Sequence, residues 1–160
     1  MREMSIYGVS FDMVGKQPIV LLKTADDNKF LPIWIGHTEA AAILAKLQGS
    51  DSPRPMTHDL MSQLLAELEA EISRVTVTDL RENTFYALIT LRAADAEIEI
   101  DSRPSDALAL AVRAEAPIFA SEELIEENGI EFEDDEADDA EQVVERFKEF
   151  LEDVTPEDFV

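Results

Sequence analysis

Apolar and polar positions first alternate with a period of two and later repeat at helical spacing, and this sequence of patterns occurs twice along the chain. Tyr7, Val9, Phe11 and Met13 alternate with Gly8, Ser10 and Asp12, which predicts a first strand. Pro18 opens a second apolar run over 19–24, Asp26-Asp27-Asn28 turns the chain, and 30–35 forms a third strand. Pro32 interrupts that strand and cannot donate to a ladder, so it suits a sheet edge better than a centre. Gly36 ends the strand. Thr38 can then cap a helix running to about Gln48, with Ala40, Ala41, Ile43, Leu44 and Leu47 on its apolar face. A loop, GSDSP, leads to Thr57, a candidate cap for a second helix whose apolar face would be Leu60, Met61, Leu64, Leu65 and Leu68.

The second half repeats the scheme. Val75 and Val77 alternate within 74–80, and Arg81-Glu82-Asn83-Thr84 makes a turn. Phe85, Ala87, Ile89 and Leu91 continue as a strand, and Ala94-Asp95 leads into a third at 97–101. There Ile98 and Ile100 alternate with Glu97, Glu99 and Asp101, predicting one buried face. Pro104 ends the strand and biases Arg103 away from helical angles. Ser105 stands at the expected N-cap, and Asp106 follows at the positive end of the helix dipole. The Ala/Leu-rich stretch 107–114 predicts a helix buried on most of its surface. Pro117 stops it before a strand at 118–120, and Ser121 can cap a short helix ended by Gly129. The expected architecture is therefore α+β. Two β-meanders form a mixed or antiparallel sheet, Ala/Leu-rich helices pack on it, and an acidic C-terminal helical tail follows. The two halves echo one another: HTEAAAI and RPMTHDL are answered by RPSDAL, although the spacings differ.

The 160 residues suit one compact domain at 1–130, followed by an acidic linker at 131–140 and an amphipathic helix at 141–160. Val143, Phe147, Phe150, Leu151 and Val154 form the stripe of that last helix, which either docks on the domain or meets a partner. The net charge is −23, and residues 121–160 hold 18 of the 36 acids against only Arg146 and Lys148. Such a field repels nucleic acid at long range, and an acidic tail can address a basic partner. No apolar run approaches the roughly 20 residues of a membrane span, no signal-peptide core opens the chain, and cysteine is absent. These features exclude Cys-based zinc and thiol chemistry and point to a cytoplasmic protein without a membrane partner.

Candidate chemistry gathers at the helix entrances: His37 and Glu39; Arg54, Thr57, His58 and Asp59; Asp101, Arg103, Ser105 and Asp106. If the sheet brings these entrances together, Glu39, Asp101 and Asp106 offer oxygen ligands for Mg²⁺ or Mn²⁺. Arg54 and Arg103, with the N–H groups and hydroxyls near Thr57 and Ser105, could hold a phosphate. His58 would act as general base or acid beside Asp101 and Asp106. Each residue also has a structural alternative. Ser105 and Thr57 would be caps, Asp59 and Asp106 would complement helix dipoles, and Arg103 would fasten its own turn. No P-loop, GxSxG elbow or dinucleotide fingerprint is present.

The runs LPIWIGHTEAAAI (31–43), RPMTHDLM (54–61) and IDSRPSDALALAVRAEAPIF (100–119) together resemble the bifunctional nuclease domain family over about residues 3–128. The tail resembles the ending of some bacterial members. The resemblance implies an α+β domain, a homo-oligomer, and both DNase and RNase activity; together with the clustered helix entrances it leads to the reading of a divalent-metal-dependent nuclease acting on single-stranded or flexible nucleic acid. It carries the family's motif onto Glu39, Arg54, Thr57, His58, Asp101, Arg103, Ser105 and Asp106. Two rivals remain beside the nuclease: a non-catalytic regulatory or assembly domain whose acidic tail binds a partner, and an anion- or small-ligand-binding domain using the same helix ends.

Overall fold

The computed structural model describes residues 1–10 and 17–131. Two three-stranded meanders lie in one sheet: β1 (Arg2–Ser10), β2 (Ile19–Thr24) and β3 (Lys29–Trp34), then β4 (Ala70–Arg81), β5 (Thr84–Ala93) and β6 (Ala96–Ser102). Helices α1 (His37–Leu47) and α2 (Thr57–Glu67) connect them, and α3 (Pro104–Ala114), β7 (Ile118–Ala120), α4 (Glu122–Asn128) and β8 (Ile130–Glu131) complete the described chain. The sheet order is β6-β5-β4-β7-β1-β2-β3-β8 among the described residues. Every pairing is antiparallel except β4 with β7, where Val75, Thr76 and Val77 register with Ile118, Phe119 and Ala120. The class is α+β with a mixed sheet, as expected.

The short strand β7 joins the two meanders, because it also pairs antiparallel with β1 through Arg2, Glu3 and Met4. The Val75 and Ser121 N–H groups complete its seam with β4, donating to the carbonyls of Pro117 and Val77. Pro32 lies on β3, where the two-residue β8 covers only Lys29 and Phe30. Its missing donor therefore falls on a nearly open edge. The β4–β5 turn places Glu82 and Asn83 at positive φ, the two-residue geometry that matches strand twist.

α3 packs against α1, α2, β4 and β5 and is the innermost helix. Pro104, Ser105, Ala107, Leu108, Ala109, Leu110 and Ala111 are all buried, as its composition predicts. The main core joins residues 107–111 to Val20, Leu22, Leu31, Ile33, Ala40, Ile43, Val75 and Val77. A smaller cluster of Leu21 and Phe30 is closed by Tyr7, whose ring meets Phe30 edge-on at 5.1 Å.

Several sequence expectations are corrected. β1 begins at Arg2 rather than Tyr7, and the expected continuation through Phe11 and Met13 falls outside the described residues, as does the chain after Glu131. Glu131 itself belongs to β8 and not to a linker. Ile98 and Ile100 are 46% and 43% exposed, because β6 is an edge strand and no helix covers it. Leu60, Met61, Leu64 and Leu68 also face outward. Of the expected α2 face, only Leu65 packs against the core.

The buried and edge apolar residues should differ sharply in worth. Leu108→Ala is expected to destabilise by roughly 3 kcal/mol, as cavity-forming substitutions do. Ile98→Thr should change stability by less than about 1 kcal/mol. Urea unfolding of both variants measures the difference.

Candidate functional site

The three longer helices begin in the same way. Glu39, Asp59 and Asp106 each occupy the third position of their helix, where a carboxylate meets the unsatisfied N–H groups and the positive dipole end. The expected caps are displaced by one or two residues. Gly36 caps α1 instead of Thr38, Met56 caps α2 with Thr57 at its first position, and Arg103 caps α3. Pro104 takes the first position of α3, where its missing donor is harmless, so Ser105 is carried into the helix and buried. Asp59 replaces the lost cap at α2 by accepting the Met56 N–H at 2.9 Å.

Asp106 is the hub of one cluster. Its Oδ1 lies 2.9 Å from His58 Nε2, and its Oδ2 accepts Arg103 Nε at 2.8 Å. Arg103 reaches on to α1, with NH1 3.1 Å from Glu39 Oε1. Residues 39, 58, 103 and 106 thus form one chain of contacts across the starts of three helices. Burial alone would raise the Asp106 carboxyl, but the Arg103 and His58 hydrogen bonds outweigh it and hold the group below its ordinary value. Arg103 is raised in turn, chiefly by its hydrogen bond to Asp106. The Arg103 side chain is 66% exposed and that of His58 only 10%, so the cluster runs from a wet guanidinium to an enclosed imidazole. Gly36 permits this closure: a Cβ there would stand 2.2 Å from Glu39 Oε2.

Arg113 is a residue that sequence reasoning missed. Its side chain is 8% exposed, and it donates Nε to Asp59 Oδ1 at 2.6 Å, NH1 to the Ala109 carbonyl and NH2 to the Ala42 carbonyl. One guanidinium thereby ties α3 to α2 and α1. The available signal was a lone arginine in an otherwise apolar ALALAVRA run. Its hydrogen bond, followed by that of the Met56 N–H, holds the Asp59 carboxyl below its ordinary value.

The remaining expected site residues stand apart from these contacts. Asp101 is exposed on β6 opposite Leu88 and has no bond to Glu39 or Asp106. Thr57 is exposed at the start of α2. Arg54 is exposed in the α1–α2 connection and is the one arginine without an ion pair among the described residues. Among the described residues, no three His, Cys, Asp or Glu side chains come together as metal ligands. Glu39 and Asp106 do approach one point, but Arg103 fills it.

A mixed sheet of two meanders with an enclosed Ala-rich helix, and an acid-arginine-histidine cluster at the helix starts, make this an α+β domain with a polar site at its helix entrances. The bifunctional nuclease domain matches residues 20–133, and the chain belongs to that family. It is 40% identical to an uncharacterized protein of Mycobacterium tuberculosis over 99% of this chain and 98% of that one. It is also similar to Bifunctional nuclease 1 of Oryza sativa subsp. japonica, at 25% identity over 74% of this chain and 37% of the relative. Bifunctional nuclease 1 of Arabidopsis thaliana is 26% identical over 71% of this chain and 36% of its own length. The chain therefore spans about a third of the plant proteins. No helix among the described residues is long and apolar enough to cross a membrane.

Asp59→Ala should cost about 2 kcal/mol, because it strands the enclosed Arg113 guanidinium. The folded chain keeps protons off Asp59 and Asp106 more strongly than the unfolded chain does, so the unfolded state binds more protons in acid. Their contribution is complete above an unfolded value of about 3.9 and is lost as pH falls through the lower folded values. Melting temperatures of wild type and Asp59→Asn from pH 7 to pH 2.5 should converge at the acid end.

Proposed function

We infer that this chain is a nuclease that cleaves phosphodiester bonds in single-stranded or flexible nucleic acid, with Arg103 as the main phosphate contact. The observation that carries this reading is the exposed guanidinium held between Glu39 and Asp106 at converging helix N-termini. Its Nε and Nη1 are committed to Asp106 and Glu39, which leaves Nη2 for a phosphate oxygen. Arg54, exposed and unpaired, can add a second phosphate contact without breaking an ion pair. Family membership and the similarity to the plant bifunctional nucleases support the reaction class.

Within this reading, His58 and Asp106 act as one pair, because the imidazole Nε2 is already bonded to the carboxylate. Asp106, the more exposed member, faces the substrate, and His58 fixes its orientation and stabilises charge behind it. Thr57 and Ser105 contribute through the helix starts they occupy. The residues as they stand do not fit a metal cage. Glu39 and Asp106 are bridged by Arg103, and Asp101 does not join them. No step is therefore routed through an ion, and the expected Mg²⁺ or Mn²⁺ requirement is one arm of the assay. A cytoplasmic location and a basic partner for the acidic tail complete the proposal.

A second reading is favoured by the same contacts. Every first-turn acid of α1, α2 and α3 already has a cationic partner, as a purely structural set of ion pairs would require. A non-catalytic regulatory or assembly domain would need nothing more.

Labelled single-stranded RNA and DNA incubated with the pure protein, with Mg²⁺, Mn²⁺ or EDTA, separate the readings. Arg103→Ala and Asp106→Asn are each expected to lower cleavage by about 10²-fold or more while the protein stays folded at assay temperature. Cleavage that both variants retain at wild-type rate, or no cleavage under any ion condition, would leave the structural reading standing.

A further inference from the structure

We propose that the outward face of α2 is a self-association surface, on which a second copy of this chain packs its own α2 antiparallel about a two-fold axis. Met56, Leu60, Leu64 and Leu68 recur every fourth residue along one side of the helix, with Met61 beside them. They are 61%, 50%, 54%, 74% and 38% exposed. The opposite side is fully used: His58 is buried on Asp106, Asp59 holds Arg113, and Leu65 packs on the core. The stripe exposes on the order of 500 Å² of apolar surface, near the top of what a monomer leaves open. That is about two-thirds of what each side of a standard interface buries.

Charge selects the occupant. The described residues hold 22 acids against 10 bases, so many faces that two copies could bring together would set acid against acid. Along the α2 stripe the exposed acids are Glu67 and, just past Leu68, Glu69; both lie at one end, so an antiparallel crossing keeps those of the two copies apart. The other exposed apolar residues, Ile98 and Ile100, lie on the β6 edge among Glu97, Glu99 and Asp101. Self-pairing there would stack carboxylates. A two-fold crossing of α2 instead sets Leu60 of one copy near Leu64 of the other, repeats that contact by symmetry, and opposes the helix dipoles.

Sedimentation velocity of the full-length chain from low to high micromolar, at moderate salt, tests the proposal. A species of twice the 17.9 kDa chain mass is expected. Leu64→Glu should raise the dimer dissociation constant by at least 100-fold with an unchanged circular dichroism spectrum, and Leu64→Gln by at least tenfold. The uncharged variant decides the matter if the glutamate variant does not fold. Ile98→Lys on the β6 edge should leave the dimer intact. A wild-type chain that stays monomeric throughout overturns the proposal, whether residues 132–160 or an unrelated partner covers the stripe. So does a dimer that both Leu64 variants leave unchanged, or one that Ile98→Lys abolishes.

Discussion

A helix enclosed on nearly every side cannot send its end groups to water, so the neighbours that bury α3 must also satisfy its polar ends. Leu108, Ala109, Leu110 and Ala111 place α3 between the sheet and the outer helices, where small side chains allow close approach. At its start, Asp106 is held by His58 of α2 and by Arg103, which in turn reaches Glu39 of α1. In its last turn, Arg113 bonds the Ala109 carbonyl and is held by Asp59 of α2 and the Ala42 carbonyl of α1. The same two helices therefore clamp α3 at both ends with opposite charges, each with the sign its dipole favours.

The sheet depends on that clamp. β7 has only three residues and would form a weak strand alone, yet it is the seam between two otherwise separate meanders. What positions it is the helix before it: α3 leaves the β6 edge, passes under α1 and α2, and delivers 118–120 beside β4 and β1. Parallel pairing of β4 with β7 needs a long connection, and β5, β6 and α3 together provide it. Loss of the Arg113 or Asp106 contacts thus bears on the sheet as well as on the helices.

Local chemistry made much of this readable in the sequence. β2, the β4–β5 turn, α4 with its Ser121 cap, and the burial of α3 follow from alternation, turn residues and composition. Pro32 named its own strand as peripheral. The seam role of β7 was invisible, because three residues, IFA, carry no record of which strands flank them. The outward faces of α2 and β6 were misjudged for a related reason: periodicity shows that a face is apolar, and says nothing of whether this chain or another covers it. The caps were misplaced because Ser and Thr compete with glycine and proline for the same turn. At α3, Pro104 settled the competition by taking the first helical position.

The candidate site was half legible for the same physical reason. Sequence reading brought Glu39, His58, Arg103 and Asp106 to neighbouring helix starts, and they meet there, but it assumed that carboxylates so gathered would await a cation from solution. The chain supplies the cation itself. Arg103 cannot be deprotonated at ordinary pH, and its planar fork suits two carboxylates at once, so it occupies the position a metal would compete for. Its side chain is nonetheless two-thirds exposed, so a phosphate could reach it without any rearrangement of the helices. In a chain of net charge −23, such a guanidinium has a further consequence. Long-range attraction does not favour bringing a polyanion to this surface, so any nucleic acid that binds here must be held by short-range contacts at the helix starts. That requirement favours flexible single strands, which can bend a phosphate into the cluster, over a stiff duplex that would press its full charge against the acidic body.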